Sequence, residues 1–139
     1  MILLDTNVVS EYRKASFGRA DLAVVAWTER QDPQQLYLST ITLHEVEKGV
    51  LRMERRDPKQ GAALRLWLDT ALIPAFAGRI LPVDEPVAIA AAHFHIPDPR
   101  PLADSLIAAT ALVHGMTIAT RNMADFQGLP ISILNPWLT

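Results

Sequence analysis

The stretch Met1-Ile2-Leu3-Leu4-Asp5-Thr6-Asn7 is a short apolar run that ends in a carboxylate and two small hydrogen-bonding side chains. This pattern predicts a buried strand with Asp5 at its C-terminal end. Open α/β sheets bind their ligands at the C-terminal ends of the strands. A buried carboxylate must also be paired, protonated or bound to a metal ion. We therefore expect Asp5 to lie in a functional site.

Length and composition favour one globular domain that spans residues 1–139. Hydrophobic residues make up 50% of the chain, which argues against disorder. The absence of cysteine excludes disulfides and thiolate metal sites. A net charge of −2 argues against a protein that coats nucleic acid through bulk charge. No apolar run approaches the ~18 residues of a membrane helix, and without a secretion signal we expect a cytoplasmic protein.

Strand-like and helix-like segments alternate along the chain. The predicted strands are residues 3–4, 36–40, 79–83, 116–120 and, as a fifth, 131–134. The predicted helices are 7–14, 20–30, one from Thr42 to the Asp57-Pro58 break, one from that break to Pro74, 84–95, and 102–114 closed by Gly115. This alternation predicts an α/β fold with a central, mostly parallel sheet of four to five strands flanked by helices.

Four carboxylates are expected to converge on one edge of this sheet, because strand C-termini and the N-termini of crossover helices share that edge. Asp5 ends the first strand and Asp125 follows the fourth. Glu45 and Asp104 fall in the predicted first turns of two helices. Each acid also has a structural explanation: a capping box between Glu45 and Thr42, a favourable helix dipole at Asp104, and a turn at Asp125.

The joint pattern favours a metal site, because crowded carboxylates repel one another unless cations or protons neutralise them. Oxygen ligands without cysteine select Mg²⁺ or Mn²⁺ over zinc, and such a site suits phosphodiester hydrolysis. Two alternatives remain open. One is a doubly wound phosphatase with Asp5 as nucleophile, although Asn7 stands where its Asp-x-Asp motif requires a second acid. The other is a non-catalytic binding module.

Two arginines are candidates for contacts with the phosphates of a substrate. Arg121 follows the fourth predicted strand beside the acidic edge, and Arg52 lies about two turns beyond Glu45 on the same helical face. Both could instead be ordinary solvated charges. His44-Glu45 opens a zinc-protease motif, but Lys48 occupies the position of the second histidine and excludes that function.

Four segments resemble, in order, the four acidic motifs of PIN-domain proteins. They are residues 3–8 (LLDTNV), 39–49 (STITLHEVEKG), 104–111 (DSLIAATA) and 120–126 (TRNMADF). The early Ser10-Glu11 and the terminal segment 133–137 (ILNPW) are most similar to the VapC toxins, especially their FitB-like branch. The resemblance covers essentially the whole chain.

This resemblance implies a PIN-like fold and a Mg²⁺- or Mn²⁺-dependent ribonuclease, the toxin of a type II toxin–antitoxin pair. It implies metal ligation by Asp5, Glu45, Asp104 and Asp125. Residues that orient these ligands or the substrate would be Thr6, Asn7, Thr120 and Asn122. It also implies a homodimer and an inhibitory antitoxin of the VapB or FitA type, which supplies operator DNA binding.

Overall fold

A parallel sheet of five short strands forms the centre of the computed structural model, which describes residues 1–139. The strands are β1 (Ile2–Leu4), β2 (Leu36–Ser39), β3 (Ile80–Leu81), β4 (Thr117–Ala119) and β5 (Ile133–Leu134). Their order in the sheet is β3-β2-β1-β4-β5, and every neighbouring pair is parallel. The predicted fold class is confirmed, and the whole sheet is parallel.

Seven α-helices connect and flank the strands. They are α1 (Thr6–Ser16), α2 (Leu22–Glu29), α3 (Thr40–Arg56), α4 (Pro58–Trp67), α5 (Ile73–Ala75), α6 (Glu85–His93) and α7 (Leu102–His114). A π-helical turn at Leu68–Leu72 joins α4 to α5. Short 3₁₀ turns occupy Pro33–Gln35, Met123–Phe126 and Pro136–Leu138. None of these helices has both the length and the apolar character required to cross a bilayer.

The sheet separates two hydrophobic cores, because successive side chains of a strand point to opposite faces. One core is built by α1 to α4 and includes Leu4, Val8, Trp27, Leu38, Val50 and Trp67. The other is built by α6 and α7 and includes Leu3, Val87, Ile107, Ile118 and Phe126. Burying a side chain of this size contributes about 1.5–3 kcal/mol. Both faces of β1 are therefore covered, which holds the following Asp5 in place.

The start of α3 differs from the prediction. The helix begins at Thr40, because Ser39 directly after β2 already caps it by accepting the Ile41 N–H. The predicted start at Thr42 is wrong. The predicted placement of Glu45 in the first turn is also wrong, because Glu45 lies one turn further along the helix. Thr42 is instead fully buried, and its hydroxyl has no hydrogen-bond partner.

Pro74 does not end its helix as predicted. In the π-helical turn the Ile73 N–H bonds to the Leu68 carbonyl, five residues back. Proline has no N–H to donate, and the widened turn carries the chain past Pro74 to the end of α5 at Ala75. By contrast, α7 has its predicted bounds and ends at Gly115, whose φ of 66° is left-handed.

α3 and α4 pack closely at Gly61. A Cβ atom at Gly61 would lie 2.3 Å from the Glu54 Cα atom, so only glycine permits this approach. Arg65 of α4 reinforces the contact by donating hydrogen bonds to Glu47 at 2.7 Å and to Glu54 at 3.1 Å. The α3–α4 pair is thus fixed as a unit beside the C-terminal edge of the sheet.

Candidate functional site

The site lies where the strand order reverses, between β1 and β4. This reversal creates the crevice in which open α/β sheets bind ligands. Asp5 directly follows β1, and Thr120 directly follows β4. The Asp5 N–H donates to the Ala119 carbonyl at 2.9 Å, which extends the pairing of the two strands into the site.

Asp5 is held by three hydrogen bonds on its carboxylate. Its Oδ1 accepts the Thr6 N–H at 2.8 Å, so Asp5 also caps α1. Its Oδ2 accepts the Thr120 hydroxyl at 2.8 Å and the Asn7 side-chain amide at 3.3 Å. The residue is only 6% exposed. The Asp5 carboxylate therefore has a fixed orientation before any ligand binds.

Thr120 connects the site residues through one hydroxyl. While donating to Asp5, its Oγ1 accepts the Asn7 side-chain amide at 3.2 Å and the Asn122 N–H at 3.0 Å. These contacts use the full hydrogen-bonding capacity of a hydroxyl. The Asn7 Oδ1 in turn accepts the Arg121 N–H at 3.1 Å. Asn122 thus contributes its backbone N–H to this network.

Glu45 is brought to the same edge from α3. Its Oε1 accepts the Thr6 hydroxyl at 3.0 Å, across 39 residues of sequence. Thr6 therefore serves two acids, because its N–H bonds to Asp5 and its hydroxyl to Glu45.

The four acids repel one another electrostatically. Burial raises the pKa of Asp104 to about 6, with further contributions from the charges of Asp125, Asp5 and Glu45. Burial also raises the pKa of Asp5, although its hydrogen bonds from Thr120 and Thr6 partly oppose the shift. The charges of Glu45 and Asp125 raise it further. No basic side chain forms an ion pair with any of the four.

The four acids match a hard divalent cation in the chemistry of their donor atoms, which are all carboxylate oxygens. The cluster offers carboxylate oxygens and lacks a positive partner, and such a set selects Mg²⁺ or Mn²⁺. The side chains do not form a ready-made ligand shell, since no three acidic or histidine side chains are grouped as metal ligands. Asp5 and Glu45 are oriented by hydrogen bonds, and Asp104 and Asp125 are the further carboxylates that would hold a cation.

Neither of the two predicted phosphate-contact arginines forms an ion pair with the acids. The Arg121 guanidinium stacks over the Trp137 ring, with its carbon 5.2 Å from the ring centroid. Arg52 is exposed on α3 and does not line the cavity beside Glu45.

Sequence reasoning missed a different arginine. Arg13 lines a cavity of about 90 Å³ together with Thr6, Ser10 and Glu45. The signal was available, because residues 6, 10 and 13 have the spacing of one helical face. Their neighbour Lys14 lies on another face and pairs with Glu11 at 3.0 Å.

The chain matches the PIN domain family over residues 2–127. It is 39% identical to toxin FitB of Neisseria gonorrhoeae, in an alignment that covers 99% of each chain. It is 38% identical to the VapC ribonuclease Y4jK of Sinorhizobium fredii, covering 99% of this chain and 98% of the relative.

The fold agrees with a solved relative. A structure of FitAB bound to an IR36 DNA fragment contains a chain that is 39% identical, with a TM-score of 0.87. The alignment covers 99% of this chain and 96% of that one. The order of acidic motifs, the parallel sheet and these similarities agree, and this chain belongs to the PIN-domain family, with FitB and VapC toxins among its relatives.

Proposed function

We propose that this protein is a metal-dependent endoribonuclease and the toxin of a type II toxin–antitoxin module. One observation carries the proposal: Asp5 and Glu45, from two distant segments, are joined through Thr6 without a basic partner. The charge of Asp125 contributes to the raised pKa of both Asp5 and Asp104. Membership of the PIN-domain family supports the proposal. So do relatives that are named as a toxin and as a VapC ribonuclease.

In this proposal the four acids hold Mg²⁺ or Mn²⁺. Asp5 and Glu45 provide oriented oxygens, and Asp104 and Asp125 complete the ligand set. When bound, the cation supplies Lewis acidity that activates water and stabilises the charge developing on the scissile phosphate. The pKa of Asp104, near 6, means that the carboxyl is largely deprotonated and able to bind a cation at neutral pH.

The neighbouring polar residues act by orienting these acids. The Thr120 hydroxyl fixes Asp5, and the Thr6 hydroxyl fixes Glu45. Asn7 links Asp5 to the chain that follows β4 by bonding to the Arg121 N–H. Partners of this kind typically change metal affinity or activity by about 10- to 100-fold when they are removed.

The proposed partners follow from the relatives and from the charge of the chain. A relative's structure is FitAB bound to DNA, and we propose a cognate antitoxin of the FitA or VapB type that inhibits this chain. With a net charge of −2, the chain is poorly suited to bind operator DNA itself, so the antitoxin would supply that binding. We further propose that the toxin is a cytoplasmic homodimer whose substrate is RNA.

The test is cleavage of a panel of folded RNAs by the antitoxin-free protein, with Mg²⁺, with Mn²⁺ and with chelator. Asp5→Asn and Asp104→Asn are assayed beside Glu29→Gln, an exposed acid on α2. We expect metal-dependent cuts that both site variants lose and Glu29→Gln keeps. Equal inactivity of all four folded, metal-binding proteins would favour a binding module. Phosphate release from small phosphoesters, without RNA cleavage, would favour a phosphatase.

A further inference from the structure

The two halves of the acid cluster are held in different ways. The carboxylates of Asp5 and Glu45 accept hydrogen bonds from neighbouring side chains. No hydrogen bond within the chain reaches the side-chain oxygens of Asp104 or Asp125. The positions of these two acids therefore depend on the backbone that carries them.

The elements that carry Asp104 and Asp125 both start without a side-chain cap. Pro101 precedes α7 and Asn122 precedes the 3₁₀ turn Met123–Phe126, and neither side chain accepts a hydrogen bond from the turn it precedes. A helix start without a cap leaves backbone N–H groups that nothing in the helix satisfies. Both elements need support from elsewhere in the chain.

Arg100 supports the 3₁₀ turn that contains Asp125. Its guanidinium donates one hydrogen bond to the Asp125 carbonyl at 3.4 Å and another to the Gln127 carbonyl at 3.2 Å. These carbonyls flank Phe126, which is fully buried in the core beneath the turn. The buried ring anchors the turn at one point, and the two contacts beside it oppose rotation about that point.

The backbone of Arg100 is tied in turn to the start of α7. The Arg100 N–H donates to His95 Nδ1 at 3.4 Å, and His95 Nε2 lies 2.9 Å from Ser105 Oγ. The Ser105 hydroxyl donates to the Leu102 carbonyl at 2.7 Å, so its oxygen accepts from His95. This network assigns the neutral Nε2–H tautomer to His95. Ser105 is fully buried and directly follows Asp104.

The segment around Arg100 has little conformational freedom. Pro99 and Pro101 flank Arg100, and proline fixes its own φ and restricts the residue before it. Arg100 is half-buried. Its planar guanidinium provides a fork of donors that can bind two carbonyls at once. Arg100 is therefore suited to hold the turn after β4 at a set position relative to α7.

We propose that Arg100 is a positioning residue of the candidate metal site, which holds Asp125 in place relative to Asp104. This inference rests on the proposed metal-dependent nuclease function and adds a residue that acts on its ligands. Arg100 bonds to the backbone carbonyl of Asp125 and not to its carboxylate. It can therefore fix the residue while leaving the negative charge of the carboxylate available to a cation.

Positioning and simple electrostatics predict opposite effects when Arg100 is removed. Loss of a positive charge near the acids should strengthen the binding of a cation, because like charges repel. Loss of a group that holds the ligands in place should weaken it. The direction of the change in metal affinity therefore distinguishes the two.

The test measures Mn²⁺ binding by the purified protein, with free Mn²⁺ followed by electron paramagnetic resonance. The variants are Arg100→Ala, Arg100→Lys, Ser105→Ala and the double variant with Arg100→Ala and Ser105→Ala. Arg55→Ala is the control for charge, because Arg55 is exposed on α3 and forms no ion pair. Thermal unfolding in chelator verifies that each variant is folded.

We expect Arg100→Ala to weaken Mn²⁺ binding about tenfold. Arg100→Lys should also weaken it, because one ammonium group lacks the planar fork that bonds two carbonyls. Ser105→Ala should act in the same direction, since His95 loses its partner. The double variant should resemble Arg100→Ala, because both substitutions interrupt one chain of contacts. Arg55→Ala should bind Mn²⁺ as the wild type does.

Three results would overturn the proposal. The first is Mn²⁺ binding that is unchanged or tighter in the folded Arg100→Ala protein. The second is wild-type affinity in Arg100→Lys, which would assign the effect to charge alone. The third is a double variant in which the two losses of affinity multiply, because Arg100 and Ser105 would then act separately.

RNA cleavage with Mn²⁺, measured in parallel, separates this inference from the proposed function. If the wild type binds Mn²⁺ and cleaves RNA, and Arg100→Ala does both equally well, the positioning role is wrong and the ribonuclease function stands. If Mn²⁺ binding depends on Arg100 but the wild type never cleaves RNA, the positioning role stands and the ribonuclease function is wrong. A wild type that binds no Mn²⁺ would overturn both.

Discussion

The Thr120 hydroxyl has three hydrogen-bond partners at the site and so offers a sharp single substitution. Thr120→Val keeps the shape of the side chain but leaves an Asp5 oxygen and the Asn122 N–H each short of a partner. Such losses cost about 1–3 kcal/mol of unfolding free energy when the groups are buried. We expect that loss in urea denaturation, with activity reduced about 10- to 100-fold.

Thr117→Val is the matched control, because Thr117 begins β4, the strand that Thr120 follows, and is only partly buried. It should change the stability little. Equal effects of the two substitutions would show that the Thr120 hydroxyl does not support Asp5.

Asp104 should make stability depend on pH. Its pKa is raised from 3.8 to about 6, so between these values the folded chain keeps a proton that the unfolded chain has lost. Stability without metal should therefore fall as the pH rises through this window. Asp104→Asn should flatten that dependence in urea titrations, and an unchanged slope would contradict the assignment. Because protons and metal compete, Mn²⁺ affinity should also fall below pH 6.

At the residue scale, sequence reasoning could identify side chains but not their contacts. The acids could be chosen because they were expected to follow strands or begin helices at one edge, and Thr6, Asn7 and Thr120 through the resemblance to PIN-domain proteins. Whether a residue contributes its side chain or its backbone was not accessible, and Asn122 contributes its N–H. Arg13 was not assigned to the site from the sequence, because its position beside Glu45 depends on a cavity formed with α3 and α4.

Two glycines of the α3–α4 pair should respond oppositely to the same substitution. A methyl group at Gly61 would lie 2.3 Å from Glu54 Cα and 2.6 Å from Glu54 N, which are backbone atoms. Overpacking of this kind typically costs about 1–3 kcal/mol, so Gly61→Ala should be destabilising. Gly49→Ala meets no atom within 4 Å and should stabilise the helix by about 0.5–1 kcal/mol. Urea denaturation of both variants measures the change in the free energy of unfolding. Changes of the same sign would contradict the packing described at these two glycines.

At the element scale, the predictions held where one local signal dominates. α7 ends at Gly115 because the left-handed residue there closes a strongly apolar helix. The start of α3 was misplaced because two capping residues compete within four positions, and the position of Ser39 at the end of β2 decides between them. The helix was predicted to end at Pro74. It continues to Ala75 because a π-helical turn precedes the proline, which lacks an N–H.

For the molecule as a whole, a bound cation should act as a cross-link. It would join β1, α3, α7 and the turn after β4, since each supplies one acid. Binding to the folded state alone stabilises it by about 2.7 kcal/mol when the free metal is 100 times its dissociation constant. We expect Mn²⁺ to raise the unfolding temperature by several degrees and chelator to reverse the change.

The Asp5→Asn variant should lose this stabilisation by Mn²⁺, and Glu29→Gln should keep it. A thermal shift of the same size in Asp5→Asn would mean that the metal binds elsewhere on the molecule.

The parallel sheet could be predicted from alternation of elements, because parallel neighbours require crossover connections. The order of the strands could not, since it depends on which helices cover each face. Only the structure places β1 between β2 and β4, with Leu4 and Leu3 buried in different cores. Because β1 is the central strand, the polar residues at the end of the seven-residue motif lie in the middle of the site.

The hydrogen bond between Asp5 and Thr120 spans 115 residues of sequence, and this has a consequence for a protein made from its N-terminus. While a ribosome is still adding the segment before β4, the first strand has one of its two neighbours and the site lacks Thr120 and Asp125. Under the proposed ribonuclease function, we expect a nascent or prematurely terminated chain of that length to be inactive toward RNA. In the proposed toxin, synthesis would therefore have to pass β4 and the turn after it before the site could act.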